Sequence, residues 1–265
     1  MIHDVQPNAT VARLLLGGQL EQLREMRGLT LKQVAGTLYV SVSKLSRIER
    51  GRHRAVVEEV ARLADFYEAR GQDLEQLMEW ARTAQGRGDY HSFTDVADAA
   101  ARDYLDVEAV GLSAVYTPQV FPAVLRTQHY AAVLLGPMNP EEVARRLWLL
   151  GLRQRRFFQI RRAPVRVLLS EAALTSRVGG PEVMAEQRQR LLHAPVQVRV
   201  LPAHCAARSP AAAGFAVAVL GGGRLTLAAR NRDDGRLWLD PDRKGRAAAQ
   251  FGELWQAAAD LRTYC

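Results

Sequence analysis

Over residues 30–51 the apolar positions fall at helical spacing. Leu31, Val34, Ala35 and Leu38 recur at three- and four-residue steps, and Val40, Leu45 and Ile48 repeat the pattern after a break. Two short amphipathic helices with a sharp turn between them are therefore predicted. Thr30 with Gln33 forms a T-x-x-Q capping box that starts the first helix at Leu31. Ser41 is an N-cap residue for the second, which is expected to run to about Arg50 with Gly51 as its stop. Ala35 is small where the second helix must cross closely. Left facing outward on the second helix are Val42, Ser43, Lys44, Ser46, Arg47, Glu49 and Arg50. Hydroxyls, cations and one small apolar side chain suit a major groove. Serine bonds several base edges, arginine forks onto guanine, and valine meets a thymine methyl.

The flanking pattern extends this into an all-helical segment. Residues 1–12 read as a short disordered arm. A helix follows over 11–26, with Leu14, Leu15, Leu20 and Leu23 as core candidates. Val57, Val60, Leu63, Ala64 and Tyr67 mark a further helix over 56–69 that Gly71 ends. Asp73 and Gln76 then cap a fifth through Leu74, Leu77, Met78 and Trp80. Residues 84–88 (AQGRG) are small and polar and read as a flexible linker. Residues 89–108 are acidic, with Asp89, Asp95, Asp98, Asp103, Asp106 and Glu108 against Arg102 alone. They enter the next domain as a helix through Tyr104, Leu105, Val107 and Val110.

Beyond residue 101 the periodicity is mixed. YTPQVFPAV is extended, because its two prolines exclude a helix core. Helices are predicted over 125–135, over 140–160 with Asn139 as cap and Pro140 at N1, from Gly180-Pro181 to His193, and over 246–262. Strands are predicted over 165–170 and 196–201. A meander follows over 215–220, 225–229 and 236–239, joined by GGG and NRDDG. The fold class is α+β: a five-helix domain over 1–83, a linker and acidic segment over 84–100, and a mixed domain with a small sheet over 101–265.

Charge sharpens the picture. The chain of 265 residues carries a formal +8, yet residues 1–83 hold 12 Lys/Arg against 11 Asp/Glu. The excess is local: Lys44, Arg47, Arg50, Arg52 and Arg54 stand against Glu49 alone. Phosphate contacts are therefore expected from Thr30, Lys32, Gln33, Ser41, Lys44, Arg52 and Arg54, and base reading from Val42, Ser43, Ser46 and Arg47. No run approaches the ~18 apolar residues of a membrane helix. The first residues lack the basic and apolar regions of a signal peptide. Two cysteines, Cys205 and Cys265, do not make a disulfide framework. A cytoplasmic, nucleoid-associated protein without membrane contact is expected.

Residues 20–67, from LEQLREMRGLT through RIERG to VARLADFY, resemble the DNA-binding domain of XRE-type, phage-repressor-like transcription regulators. The resemblance implies a five-helix unit in which Arg24 pairs with Glu49, so that Glu49 is structural rather than a base reader. Tyr39 departs from the pattern, since these domains usually carry glycine in the turn. Either the turn is built differently, or Tyr39 is held at positive φ at a cost on the order of a kcal/mol. The strings YTPQVFPAVLRTQHYAAVLL, LRQRRFF, LLSEAALTSRVGG and VQVRVLP resemble an uncharacterised domain that follows XRE-type domains in many actinobacterial regulators, some labelled antitoxin-like. VFPAVLRT stands where those relatives carry a VPGLLQT-like string.

Residues 101–265 offer no catalytic constellation. His204-Cys205 is adjacent, not at metal-ligand spacing, and the 221–223 glycines read as a hairpin turn. Ser170-Glu171 and Ser209 have no motif placing a histidine beside them. The uncommon feature is a stretch with Arg145, Arg146, Arg153, Arg155, Arg156, Arg161, Arg162 and Arg166 and no acid among them. Its plainest reading is a solvated helix face. The alternatives are a surface for an acidic partner, including the acidic 89–108 segment, an auxiliary DNA-backbone surface, or an anionic ligand pocket; Arg145, Arg146, Arg153, Arg155 and Arg156 form the candidate partner or ligand surface.

The expected function is a sequence-specific DNA-binding transcription regulator, dimeric on an inverted repeat in double-stranded DNA. Its C-terminal domain would sense a small-molecule effector or bind a partner protein. The alternative is an antitoxin-like protein that sequesters a small partner protein and autoregulates its own operon. No enzyme activity, cofactor or metal is expected.

Overall fold

The computed structural model describes residues 6–159, 164–206, 214–231 and 237–264. They fall into two compact units, Met1–Ser92 with Leu220–Leu225, and Phe93–Val219 with Thr226–Cys265. Residues 1–5 of the predicted arm, Arg161, Arg162, Ser209, Cys265 and most of the NRDDG turn lie outside the described residues.

The first unit is helical: α1 (Ala9–Met26), α2 (Leu31–Thr37), α3 (Val42–Glu49), α4 (Val57–Phe66) and α5 (Gly71–Thr83). The arm is shorter than its composition predicts. Asn8 accepts a hydrogen bond from the Val11 amide as N-cap, and Ala9, Thr10, Val11 and Ala12 are buried inside α1. The Thr30–Gln33 capping box forms as expected, with both reciprocal bonds present. The α4–α5 junction differs from expectation. Glu68, at φ 50°, turns the chain after α4, and Gly71 opens α5 rather than ending α4. Neither Asp73 nor Gln76 caps α5; both lie inside it. Residues 84–88, predicted flexible, are hydrogen-bonded: the Gln85 side-chain amide donates to the carbonyls of Ala55 and Ala81, and Tyr90 just beyond is fully buried.

The second unit runs α6 (Ala99–Gly111), β1 (Leu112–Thr117), α7 (Gln128–Leu135), α8 (Pro140–Gln159), β2 (Arg166–Ser170), α9 (Glu171–Thr175), α10 (Pro181–Leu192), β3 (Gln197–Leu201), α11 (Ala203–Ala206), β4 (Phe215–Leu220), β5 (Leu225–Asn231), β6 (Leu237–Pro241), α12 (Arg246–Gln256) and β7 (Ala259–Asp260). Among the described residues seven strands form one mixed sheet in the order β6-β5-β4-β1-β2-β3-β7. β1 and β2 pair in parallel, as do β2 and β3, whereas β1–β4, β5–β6 and β3–β7 are antiparallel.

The central strand β1 is one that the hydrophobic pattern conceals. Leu112, Val115, Val167 and Leu169 enter one core with Phe121, Phe157 and Met184, while Ala114, Tyr116 and Leu168 enter the other with Phe251 of α12. A strand buried on both faces loses the alternation that marks a half-exposed one. β7 is likewise hidden in the pattern: α12 stops at Gln256, and the chain beyond it pairs with β3 instead of continuing as helix. The sheet is thus covered on both faces.

Candidate nucleic-acid interface

The geometry of α2 and α3 begins at their caps. The Ser41 hydroxyl accepts from the Lys44 amide, 3.1 Å, and starts α3. Gly51 follows the C-cap Arg50 at φ 63°, where a side chain would strain the backbone and press on Leu14. Between the two helices Tyr39 sits at φ 54° and is 96% exposed. The second alternative for the turn therefore holds: tyrosine occupies the left-handed position that glycine fills without strain. The Val40 amide bonds back to the Ala35 carbonyl, 3.1 Å, and closes the end of α2.

What holds α3 in place is a buried ion pair, as the resemblance implied. Arg24 Nε donates to Glu49 Oε1 at 2.8 Å and its terminal nitrogen to Oε2 at 3.0 Å; a third bond reaches the Leu29 carbonyl. The hydrogen bond to Glu49 holds the guanidinium more firmly charged. Burial pushes the Glu49 carboxyl above its ordinary range, and Arg24 pulls it back. The two-point contact offsets part of the cost of burying both groups away from water. Beneath it, α1 approaches the end of α3 so closely that a Cβ on Gly17 would lie 2.5 Å from the Ile48 carbonyl oxygen. Arg13 adds a bond to the Gly51 carbonyl, 2.6 Å. Sequence reasoning missed both, although a glycine pair inside a helix is a legible sign of close approach.

With Leu45, Ile48 and Glu49 buried, α3 presents Val42, Ser43 and Arg47 outward, with Ser46 half-buried beside them. Arg47 and Arg50 have no side-chain partner among the described residues, and neither has Lys32 at the start of α2. Thr30 and Gln33 are exposed but engaged with each other in the capping box, as is Ser41 with Lys44.

Two expected phosphate contacts are otherwise committed. Lys44 Nζ lies 2.7 Å from Glu59, a carboxylate only 6% exposed. Arg54 donates to the carbonyls of Gln85, 3.1 Å, and Gly86, 2.8 Å, so it anchors the segment after α5. Linear charge density, which suggested both, reveals neither the acid on α4 nor carbonyls beyond α5. Arg52 is exposed, with a contact inside the chain.

The arginines of α8 are largely spent within the second unit. Arg145 bonds Asp95, 2.8 Å, and lies over the rings of Phe93 and Trp148. Arg146 pairs with Glu142 at 2.8 Å, and Arg153 takes both oxygens of the buried Glu108. The acidic 89–108 segment thus meets the arginine helix within the same chain, the second of the readings above. Arg156 is also engaged, and Arg155 is the exposed one. The Arg145 hydrogen bond holds the Asp95 carboxyl below its usual range. Burial, with Arg153 nearby, pulls Arg126 down to about 10, so it stays charged at neutral pH. His204 and Cys205 lie on α11, and among the described residues no three His, Cys, Asp or Glu side chains gather as metal ligands.

A capped helix pair crossing a third helix, followed by a mixed-sheet domain, defines a two-part helix-turn-helix protein. The chain belongs to the family of the domain of unknown function DUF5753, which matches residues 101–263; a helix-turn-helix domain matches residues 15–77. The chain is also similar to the HTH-type transcriptional regulator DdrOP3 of Deinococcus deserti, 40% identical over 62 residues, which are 23% of this chain and 48% of that regulator. The chain therefore spans about half the length of that relative. No solved structure matches. Among the described residues no helix is long and apolar enough to cross a membrane.

Proposed function

We propose that this chain is a sequence-specific, DNA-binding regulator of transcription that acts as a dimer on an inverted repeat. Residues 1–83 bind the DNA, and 101–265 supply dimerisation and a sensing or partner-binding function. The observation that carries the reading is the outward face of α3. Val42, Ser43, Ser46 and Arg47, which has no side-chain partner among the described residues, stand on one side of a helix fixed from behind by Arg24–Glu49. The likeness to a transcriptional regulator over the helix-turn-helix segment supports it. One such helix reads only a few base pairs, so useful specificity requires two.

The test is selection of bound fragments from a genomic DNA pool by the full chain, followed by affinity measurements on the enriched site. One enriched inverted repeat is expected. Arg47→Ala should lose about 1–3 kcal/mol on that site and lose preference at a single base position. Arg54→Ala, whose guanidinium is tied to carbonyls, should leave base preference unchanged. No enrichment, with a stable complex formed instead with a small protein, would replace this reading by partner capture.

A further inference from the structure

The second unit carries a cleft of about 900 Å³. It lies between α9, the 176–180 loop, α10 and Tyr264. Its wall is mainly apolar, with Leu174, Met184, Leu192 and Tyr264, and Thr175, Ser176 and Gln189 add polar groups; Leu174 and Met184 are the buried floor. Two cations line it, the exposed Arg177 and the half-buried Arg188, and among the described residues no acid does. Neither guanidinium has a hydrogen-bond or ion-pair partner among the described residues. That contrasts with Arg145, Arg146 and Arg153, each of which has found an acid.

We propose that this cleft binds a small organic anion with an apolar body and a carboxylate head. The proposal rests on the reading of residues 101–265 as a sensing domain and names the chemistry sensed. The volume lies within the range of small-molecule sites, which are mostly apolar with a few placed polar groups. Two guanidinium groups without a partner among the described residues, on a mainly apolar wall, favour a carboxylate, which arginine takes through paired hydrogen bonds. A nucleic acid would leave its sugars against hydrocarbon, and an uncharged lipid would leave both cations unanswered.

Calorimetric titration of the full chain with decanoate, below its micellar concentration, tests the proposal. One site is expected. Arg177→Ala/Arg188→Ala should weaken it at least about tenfold, and decanol, with the same tail and no charge, should bind at least about tenfold more weakly than decanoate. Ala185 lines the cleft yet is exposed on α10, so Ala185→Trp fills the space without entering the core and should abolish binding. Thermal melts of the variants establish that each is folded, and the double arginine variant decides the matter if Ala185→Trp is not. No heat with decanoate up to about 1 mM, equal affinity in the folded variants, or equal affinity for decanol would overturn the site. No DNA enters this titration, so failure to find an operator leaves its outcome standing. Release of operator DNA by decanoate then tests the sensing role separately.

Discussion

At the scale of single residues, the informative positions are those where a side chain opposes its surroundings. Tyr39 holds φ 54° without burying its ring, so its backbone strain has no packing to offset it. A left-handed non-glycine residue costs roughly 1–2 kcal/mol, and glycine gives back about 0.5–1 kcal/mol through the unfolded chain's freedom. Tyr39→Gly should therefore raise stability by about 0.5–1 kcal/mol, read as a higher denaturant midpoint with an unchanged slope. A lower midpoint would assign the ring a stabilising contact. The departure at this position is legible in the sequence, because the family's glycine and the demand for positive φ share one cause. Lys44 and Arg54 are not legible in the same way. A cation's availability depends on who else reaches it, and Glu59, Gln85 and Gly86 become neighbours only after folding.

At the scale of elements, caps and amphipathic spacing locate α2 and α3 to within a residue or two, since capping is a local exchange of hydrogen bonds. Close approach of two helices is not local. Gly17 and Gly36 are both helical glycines, yet a Cβ added at Gly17 would meet backbone oxygens at 2.5 and 2.6 Å and one at Gly36 would have nothing within 4 Å. Gly17→Ala should lose about 1–3 kcal/mol because α1 must shift from the end of α3. Gly36→Ala should gain up to about 1 kcal/mol from helix propensity alone. Denaturation of the two variants side by side separates crossing geometry from propensity; equal shifts would refute the close approach.

The Arg145–Asp95 tie on α8 behaves differently. Asp95 has its carboxyl lowered in the folded chain relative to the unfolded one, so this contact stabilises above the ordinary aspartate range. The contribution is lost as pH falls through the folded value. Asp95→Asn should flatten the stability–pH curve at its acid end, below about pH 4, and leave it parallel to wild type near neutrality. An unchanged acid limb would show the pair to be silent in solution.

At the scale of the whole molecule, the α+β class and the order of helices and strands are readable from periodicity, while the centre of the sheet is not. β1 is shielded on both faces, and β7 follows a helix whose pattern gives no stop signal. The candidate site shows the same division: the exposure of Val42, Ser43 and Arg47 on α3 is legible, and the internal partners of Lys44 and Arg54 are not. That correction changes what DNA binding should look like. The linear charge count near α3 offers five cations; of these and Lys32, it is Lys32, Arg47 and Arg50 that have no partner among the described residues. With Arg47 on a base or on a phosphate, one subunit neutralises about two or three phosphates. The logarithm of affinity should then fall against the logarithm of salt concentration with a slope of about −2 to −3 for a monomer and about −4 to −5 for a dimer. Arg54→Ala should leave that slope unchanged, and Arg50→Ala should reduce its magnitude by about 0.9 per subunit. Anisotropy titrations on the selected operator over a range of salt concentrations give both readings at once. A slope near the monomer value would remove the dimer from the proposed function, and a loss of slope in Arg54→Ala would return that arginine to the DNA.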